Sequence, residues 1–148
     1  MIIDIVIASY NGSRYIKEQI ESIINDPDFN YINNIIISDD GSQDDTEVQV
    51  RSFGNNKINF IKNQGNKGPA GNFVNALSQT NADYIFFCDQ DDVWCNSRIV
   101  NFIKAIPNIN NDSPGVIYSD LLVVNSELEI IKRSFYSHES IPPSGHIS

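Results

Sequence analysis

The run Ile2-Ile3-Asp4-Ile5-Val6-Ile7-Ala8 is apolar at nearly every position and does not alternate. A strand with one face in water alternates, whereas one covered on both faces reads as a continuous β-branched run, the habit of parallel sheets. The same grammar returns over residues 34–38, 57–61 and 84–88. Segments of helical period lie between. Tyr15, Ile16, Ile20, Ile23 and Ile24 share one helical face, with Lys17, Glu18 and Glu21 outside, Ser13 a candidate N-cap and Asp26-Pro27 the stop. Ser42 followed by Asp45 reads as a capping box opening a peripheral helix to about Phe53. Pro69 stands where a helix's first residue would, ahead of Ala70, Phe73, Val74 and Leu77. Ile99, Val100, Ile103 and Ile106 mark a further helix, stopped by Pro107. Residues 116–124 are strand-like, interrupted at Ser119-Asp120, and residues 128–132 can pair with them across an Asn125-Ser126 turn. The alternation β-α-β-α-β-α-β-α-β predicts an α/β fold with a mainly parallel sheet flanked by helices and right-handed crossovers.

Length and charge limit what such a sheet serves. At 148 residues the chain suits one domain, residues 1–148, with no linker inside it and residues 137–148 as loop or tail. A net charge of -9 argues against general attraction to nucleic acid or anionic lipid, yet leaves room for a phosphate-bearing ligand held by local groups or a metal. No apolar run is long enough to span a bilayer. The N-terminus enters a strand with no basic leader, so no signal peptide is expected. Cys88 and Cys95 read as free thiols of a reducing compartment, their spacing matching no zinc pattern. His138 and His146 fall in a polar tail and read as solvated.

Chemistry concentrates where the apolar runs break. Tyr84-Ile85-Phe86-Phe87-Cys88 stops at Asp89-Gln90-Asp91-Asp92-Val93-Trp94, which delivers three carboxylates to the carboxyl edge of the sheet, where open α/β folds bind ligands. On an extended backbone Asp89 and Asp91 point the same way. Two like charges aimed at one spot repel unless a cation lies between them, and paired carboxylate oxygens suit Mg2+ or Mn2+ shared with substrate phosphates. The plainer alternative is a surface turn in which Asp91 or Asp92 caps the next helix. Asp39 and Asp40 end the second run beside a helix start, where one of them can serve as cap and the other reach a base or a ribose. Residues 65–72, with Asn66, Lys67, Gly68 and Asn72, form a glycine-rich turn that is neither a Walker loop nor a dinucleotide fingerprint, but whose backbone N–H groups can meet a nucleotide. Tyr10, in a polar turn at the end of the first run, suits stacking on a base, or core packing. Trp94 reads as structural.

Assembled, these pieces resemble the family 2 glycosyltransferases, inverting enzymes of the GT-A fold. The resemblance covers about residues 2–124. It rests on Ile5-Val6-Ile7-Ala8-Ser9-Tyr10-Asn11, Ile37-Ser38-Asp39-Asp40-Gly41-Ser42, Asn66-Lys67-Gly68-Pro69-Ala70-Gly71-Asn72 and Phe87-Cys88-Asp89-Gln90-Asp91-Asp92-Val93-Trp94. The last segment is reminiscent of bacterial rhamnosyltransferase-like members. The resemblance implies a nucleotide-sugar-binding domain in which Ala8, Ser9, Tyr10 and Asn11 line the nucleotide pocket and Asp39, with Asp40 beside it, contacts the base. Asn66, Lys67, Gly68, Asn72, Asp89 and Gln90 complete the donor site, and Asp91, assisted by Asp89, holds Mn2+ or Mg2+ on the diphosphate. It implies transfer of a sugar from a UDP- or dTDP-linked donor to a saccharide or lipid-linked saccharide in cell-surface polysaccharide synthesis. The setting it implies is cytoplasmic or peripheral at the inner membrane face, and a homo-oligomer is compatible with it. Two departures stand out. Gly71 occupies a position where many members have Arg, and Ala8 one where most have Pro.

The family's general base, an Asp usually following Glu on a downstream segment, has no counterpart in this sequence, and Asp120 is not assigned to that role. The expectation is therefore an incomplete GT-A domain, the donor-binding portion of a transferase. Two other readings remain open to the sequence: a non-catalytic nucleotide-sugar-binding fragment, and an Asp-dependent Mg2+ phosphoryl-transfer domain, whose Lys and Thr or Ser helpers are not evident.

Overall fold

The structure, a computed structural model, describes residues 1–108 and 114–139. It forms two compact units, Met1–Asn101 and Phe102–Ser148. In chain order the first unit contains β1 (Ile3–Ser9), α1 (Ile16–Ile24), β2 (Ile32–Asp39), α2 (Thr46–Ser52), β3 (Ile58–Lys62), α3 (Pro69–Leu77) and β4 (Tyr84–Asp89). Next come α4 (Arg98–Ala105), then β5 (Val123–Val124), β6 (Ile130–Lys132) and α5 (Phe135–His138).

The four long strands form one sheet in the order β3-β2-β1-β4, and every pairing is parallel. The unalternating runs are explained by cover on both faces. Val6, Ile36 and Ala76 are buried together on one face, with Ile61, Phe73 and Ile85 packed against them. On the other face Ile7 lies in register with Cys88, whose sulfur accepts a hydrogen bond from Gln19 of α1. Ile5, Ile7, Ile35 and Ile37 have no exposed surface. Each such side chain contributes roughly 1.5–3 kcal/mol relative to leaving it in water. Pro69 is the first residue of α3, as expected, since its missing N–H would have no helical partner there.

Three local expectations fail. Ser13 does not cap α1: Tyr15 stands at its N-cap without a side-chain cap bond, and the Gly12 carbonyl accepts from the N–H groups of Tyr15 and Ile16. Tyr15 is exposed, while Gln19, not foreseen, is buried on the apolar face. Ser42 does not open α2, which begins at Thr46 with Asp44 accepting from the Thr46 N–H, because the Ser42 hydroxyl is drawn onto Asp39.

In the second unit β5 and β6 pair antiparallel, but residues 116–122 carry no strand. Asp120 accepts hydrogen bonds from the N–H groups of Leu121, Phe135 and Tyr136, which bends the chain toward the start of α5 instead of along a ladder. Residues 140–148, with His146, lie outside the described residues. Among the described residues no helix is long and apolar enough to cross a membrane.

Candidate functional site

The parallel register brings strand ends together: Ser9 pairs with Asp39, and Ala8 with Asp89. Beyond β1 the chain turns through Tyr10-Asn11-Gly12-Ser13, with Asn11 at a positive φ of 47°. The backbone N–H groups of this turn donate in succession to Gln90 Oε1 (2.9 Å), Ser42 Oγ (2.8 Å), Thr46 Oγ1 (2.9 Å) and Asp44 Oδ2 (3.0 Å). The turn is thus tied down by side chains of two other segments, and it presents the Tyr10 ring, 56% exposed, on its outer side. Burial opposes ionisation of Asp44, but hydrogen bonds from the Thr46 hydroxyl and the Ser13 backbone outweigh it and hold the carboxyl down to about 2.

The neighbouring carboxylates of Asp39 and Asp40 have different tasks. Asp39 is 3% exposed. Its oxygens accept from the Ser9 and Ser42 hydroxyls and from the N–H groups of Gly41 and Ser42, so it organises the turn after β2 from within. Asp40 reaches the glycine-rich turn, accepting from the Gly68 N–H at 2.8 Å and from Asn63 Nδ2 at 2.8 Å, with Lys67 Nζ at 3.2 Å. The Gly68 N–H is the main cause that holds the Asp40 carboxyl below the usual carboxylate range. Neither caps α2.

The glycine-rich turn folds back onto α3 at Gly71, where a Cβ would lie 2.0 Å from the Asn66 carbonyl oxygen. No side chain of any kind fits there with the turn in this position. Asn72 is buried and its Nδ2 donates to the Ser9 carbonyl at 3.0 Å, while its buried Oδ1 accepts no hydrogen bond.

An open hollow of about 340 Å³ lies at the sheet edge, lined by Ala8, Ser9, Tyr10, Asp40, Gly68, Pro69, Asn72, Asp89, Gln90 and Asp91. Nine of the thirteen expected residues line this hollow; Asn11, Asp39, Asn66 and Lys67 do not, and Pro69 is an addition. Pro69 was legible as a helix start but carried no chemical signal.

Asp89 closes β4 and Asp91 lies in the turn beyond it, so the two do not share an extended backbone as expected; the turn itself brings both to the hollow. Burial, and then the charge of Asp91, push the Asp89 carboxyl above its ordinary value. Asp92 is pushed the same way, by burial first and then by Asp89 and Asp91. Neither Asp91 nor Asp92 caps α4, which starts at Arg98; the Ile99 N–H there points to Asp26. Below this turn, Trp94 is buried and its Nε1–H donates to Cys88 Sγ at 3.2 Å, confirming its structural role. Burial pushes the Cys88 thiol far up, so it stays protonated, and both cysteines are free.

Among the described residues no group of three His, Cys, Asp or Glu side chains is placed to hold a metal, so this chain offers a pair of carboxylates. That donor set fits a hard divalent ion of the magnesium kind, which keeps several waters and takes one or two carboxylates plus substrate phosphates. Asp120 is no free carboxylate, since one of its oxygens already accepts the N–H groups of Leu121 and, at the start of α5, of Phe135 and Tyr136.

A parallel sheet whose strand ends carry this hollow and an Asp-Gln-Asp-Asp turn has the architecture of the GT-A fold. Solved structures of that fold agree. Staphylococcus aureus TarS residues 1–349 superpose with a TM-score of 0.61 at 21% identity, over 84% of this chain and 42% of that one. Glucosyl-3-phosphoglycerate synthase from Mycobacterium tuberculosis, in complex with Mn2+, UDP and glucosyl-3-phosphoglycerate, gives 0.60 at 22% identity, over 71% and 39%. The profile of glycosyl transferase family 2 matches residues 4–133, and the chain belongs to that family. Among curated relatives, the dTDP-rhamnosyl transferase RfbG of Shigella flexneri is 38% identical over 119 residues, 74% of this chain and 40% of its own length. Abequosyltransferase RfbV of Salmonella typhimurium is 37% identical over 121 residues, 80% of this chain and 35% of its own. The UDP-Glc:alpha-D-GlcNAc-diphosphoundecaprenol beta-1,3-glucosyltransferase WfgD of Escherichia coli is 30% identical over 125 residues, 84% and 47%. The chain therefore spans less than half the length of these relatives.

Proposed function

We propose that this chain is the donor-binding portion of an inverting glycosyltransferase of cell-surface polysaccharide synthesis, and that its hollow takes a UDP- or dTDP-linked sugar together with Mn2+ or Mg2+. One observation carries the reading. Tyr10, Asp89 and Asp91 face one hollow in which, among the lining residues, carboxylates occur and no Lys or Arg does. A diphosphate brought there meets like charge, and a divalent ion on Asp91 and Asp89 resolves the conflict. When bound, such an ion neutralises charge growing on the departing nucleoside diphosphate.

The chain's own residues do the rest. The Tyr10 ring offers a face for the base. Asn72 steadies the wall of the hollow by donating to the Ser9 carbonyl from Nδ2. Asp39 acts on the base only through the turn it organises, because its oxygens are occupied by protein donors. Lys67, paired with Asp40, is in place to hold the glycine-rich turn rather than a phosphate. The reading assigns no general base: of the carboxylates that line the hollow, Asp40 is taken by the glycine-rich turn, and Asp89 and Asp91 by the metal. A lipid-linked acceptor such as the one named for WfgD would set the protein beside a membrane.

The test is a titration of the chain with UDP, dTDP and GDP in the presence of Mn2+, followed by melting temperature. A rise with UDP or dTDP that Asp91→Ala abolishes is expected. No shift with any of the three refutes the reading. Binding without turnover in the isolated chain separates donor binding from transfer.

A further inference from the structure

Gln90 stands in the middle of the acidic turn, between Asp89 and Asp91, and lines the hollow beside them. Both polar atoms of its amide are bonded to Tyr10. Oε1 accepts the Tyr10 N–H at 2.9 Å, and Nε2 donates to the Tyr10 carbonyl at 3.1 Å. Both hydrogen-bonding groups of one backbone residue are therefore closed by one side chain, in the way two opposed strand residues exchange a pair of bonds. The β1–β4 ladder stops at Ala8 and Asp89, and this side chain extends the link between the two segments to Tyr10, two residues past Ala8. Gly12 makes room for it: a Cβ on Gly12 would fall 2.2 Å from Gln90 Oε1.

We propose that Gln90 is the positioning residue of the donor site. It fixes the distance between the Tyr10 ring, which meets the base, and the Asp89–Asp91 pair, which meets the metal diphosphate. The inference rests on the donor-site reading above. Base and diphosphate are joined covalently in one ligand, so their two receiving surfaces must be held at a matching separation before it arrives. Gln90 spans both by itself, because its backbone belongs to the acidic turn and its amide to Tyr10.

The test uses the full chain with UDP and Mn2+ as probes. Gln90→Ala is expected to weaken UDP–Mn2+ binding about tenfold, the size of one or two lost hydrogen bonds, while Mn2+ alone binds almost as before. The readout that mere scaffolding would not move is the split between UDP–Mn2+ and Mn2+ alone, because a turn that simply lost its structure would lose both together. Gly12→Ala displaces the amide from the other side, and in the Gln90→Ala background it should cost little more.

UDP–Mn2+ binding by Gln90→Ala equal to that of the unaltered chain overturns the clamp and leaves the donor site standing. So does an equal loss of Mn2+ and UDP–Mn2+ binding, or full additivity of the Gly12 and Gln90 substitutions. Failure of the unaltered chain to bind UDP, dTDP or GDP with Mn2+ overturns both.

Discussion

The Asp40 carboxylate accepts the backbone N–H of Gly68 at 2.8 Å, across 28 residues of chain, and this bond sets the glycine-rich turn against the end of β2. Asn63 and Lys67 converge on the same carboxylate. Asp40→Ala leaves the turn held by Asn63, through Gly65 and Asn66, without the link to the end of β2. Loss of the Gly68 bond and the Asn63 bond should destabilise the unit by about 1–2 kcal/mol, with the exposed Lys67 pair adding little. Thermal unfolding should show a fall of roughly 2–8 °C. An unchanged melting temperature would show that the turn holds itself.

Gly71 tests the same turn from below. Because a Cβ there meets backbone, not the end of a flexible side chain, Gly71→Ala must push Asn66 away from α3. The expected cost is about 1–3 kcal/mol, typical of overpacking. UDP–Mn2+ binding should weaken along with stability, since Gly68 and Pro69 line the hollow. Equal stability of the alanine variant would contradict the close approach.

Asp44 couples the turn after β1 to acid stability. Its carboxyl is held down to about 2 by Thr46 and Ser13, against the opposing effect of burial. An unfolded Asp titrates at about 3.9, so the folded state is favoured by the charged form above that pH. The contribution is present at neutral pH and disappears as pH falls from about 4 through about 2. Asp44→Asn should melt lower than the unaltered chain at pH 7, and the gap should close toward pH 2 in circular-dichroism melts. A gap independent of pH would sever the link to this carboxylate.

The acidic turn predicts the opposite sign. Asp89 and Asp92 are pushed above their ordinary values by burial and by neighbouring carboxylates, so in the metal-free protein their charged forms weaken the fold. That penalty is absent at low pH and appears as pH rises through their raised values. Asp91→Asn should therefore raise the metal-free melting temperature at pH 7 by roughly 1–3 °C, a screened surface effect, while abolishing stabilisation by UDP–Mn2+. A metal-free variant less stable than the unaltered chain would show that Asp91 has a structural partner.

Some of this was written plainly in the sequence. Runs such as Ile35-Ile36-Ile37 can satisfy their apolar surface only between two layers, so they announce parallel strands before any partner is known. Pro69 fixes the start of α3 for an equally local reason. The acidic stop after Phe87-Cys88 marked the edge where chemistry gathers. What the sequence could not decide is which polar group each strand-end residue meets. Asp39 and Asp40 are chemically identical neighbours, yet one turns inward onto Ser9 and Ser42 and the other onto Gly68. Ser42 looked like a helix cap until Asp39, adjacent in space, claimed its hydroxyl.

Periodicity and punctuation are local properties, and they determined the four parallel strands and the location of the acidic edge, though not the second unit, where residues 116–122 carry no strand. Hydrogen-bond partners 30 or 80 residues apart depend on register, and register is a property of the assembled sheet. Only the tertiary structure could therefore turn Gln90 toward Tyr10, bury Asp39, and bring Asp89 and Asp91 to one hollow across a turn.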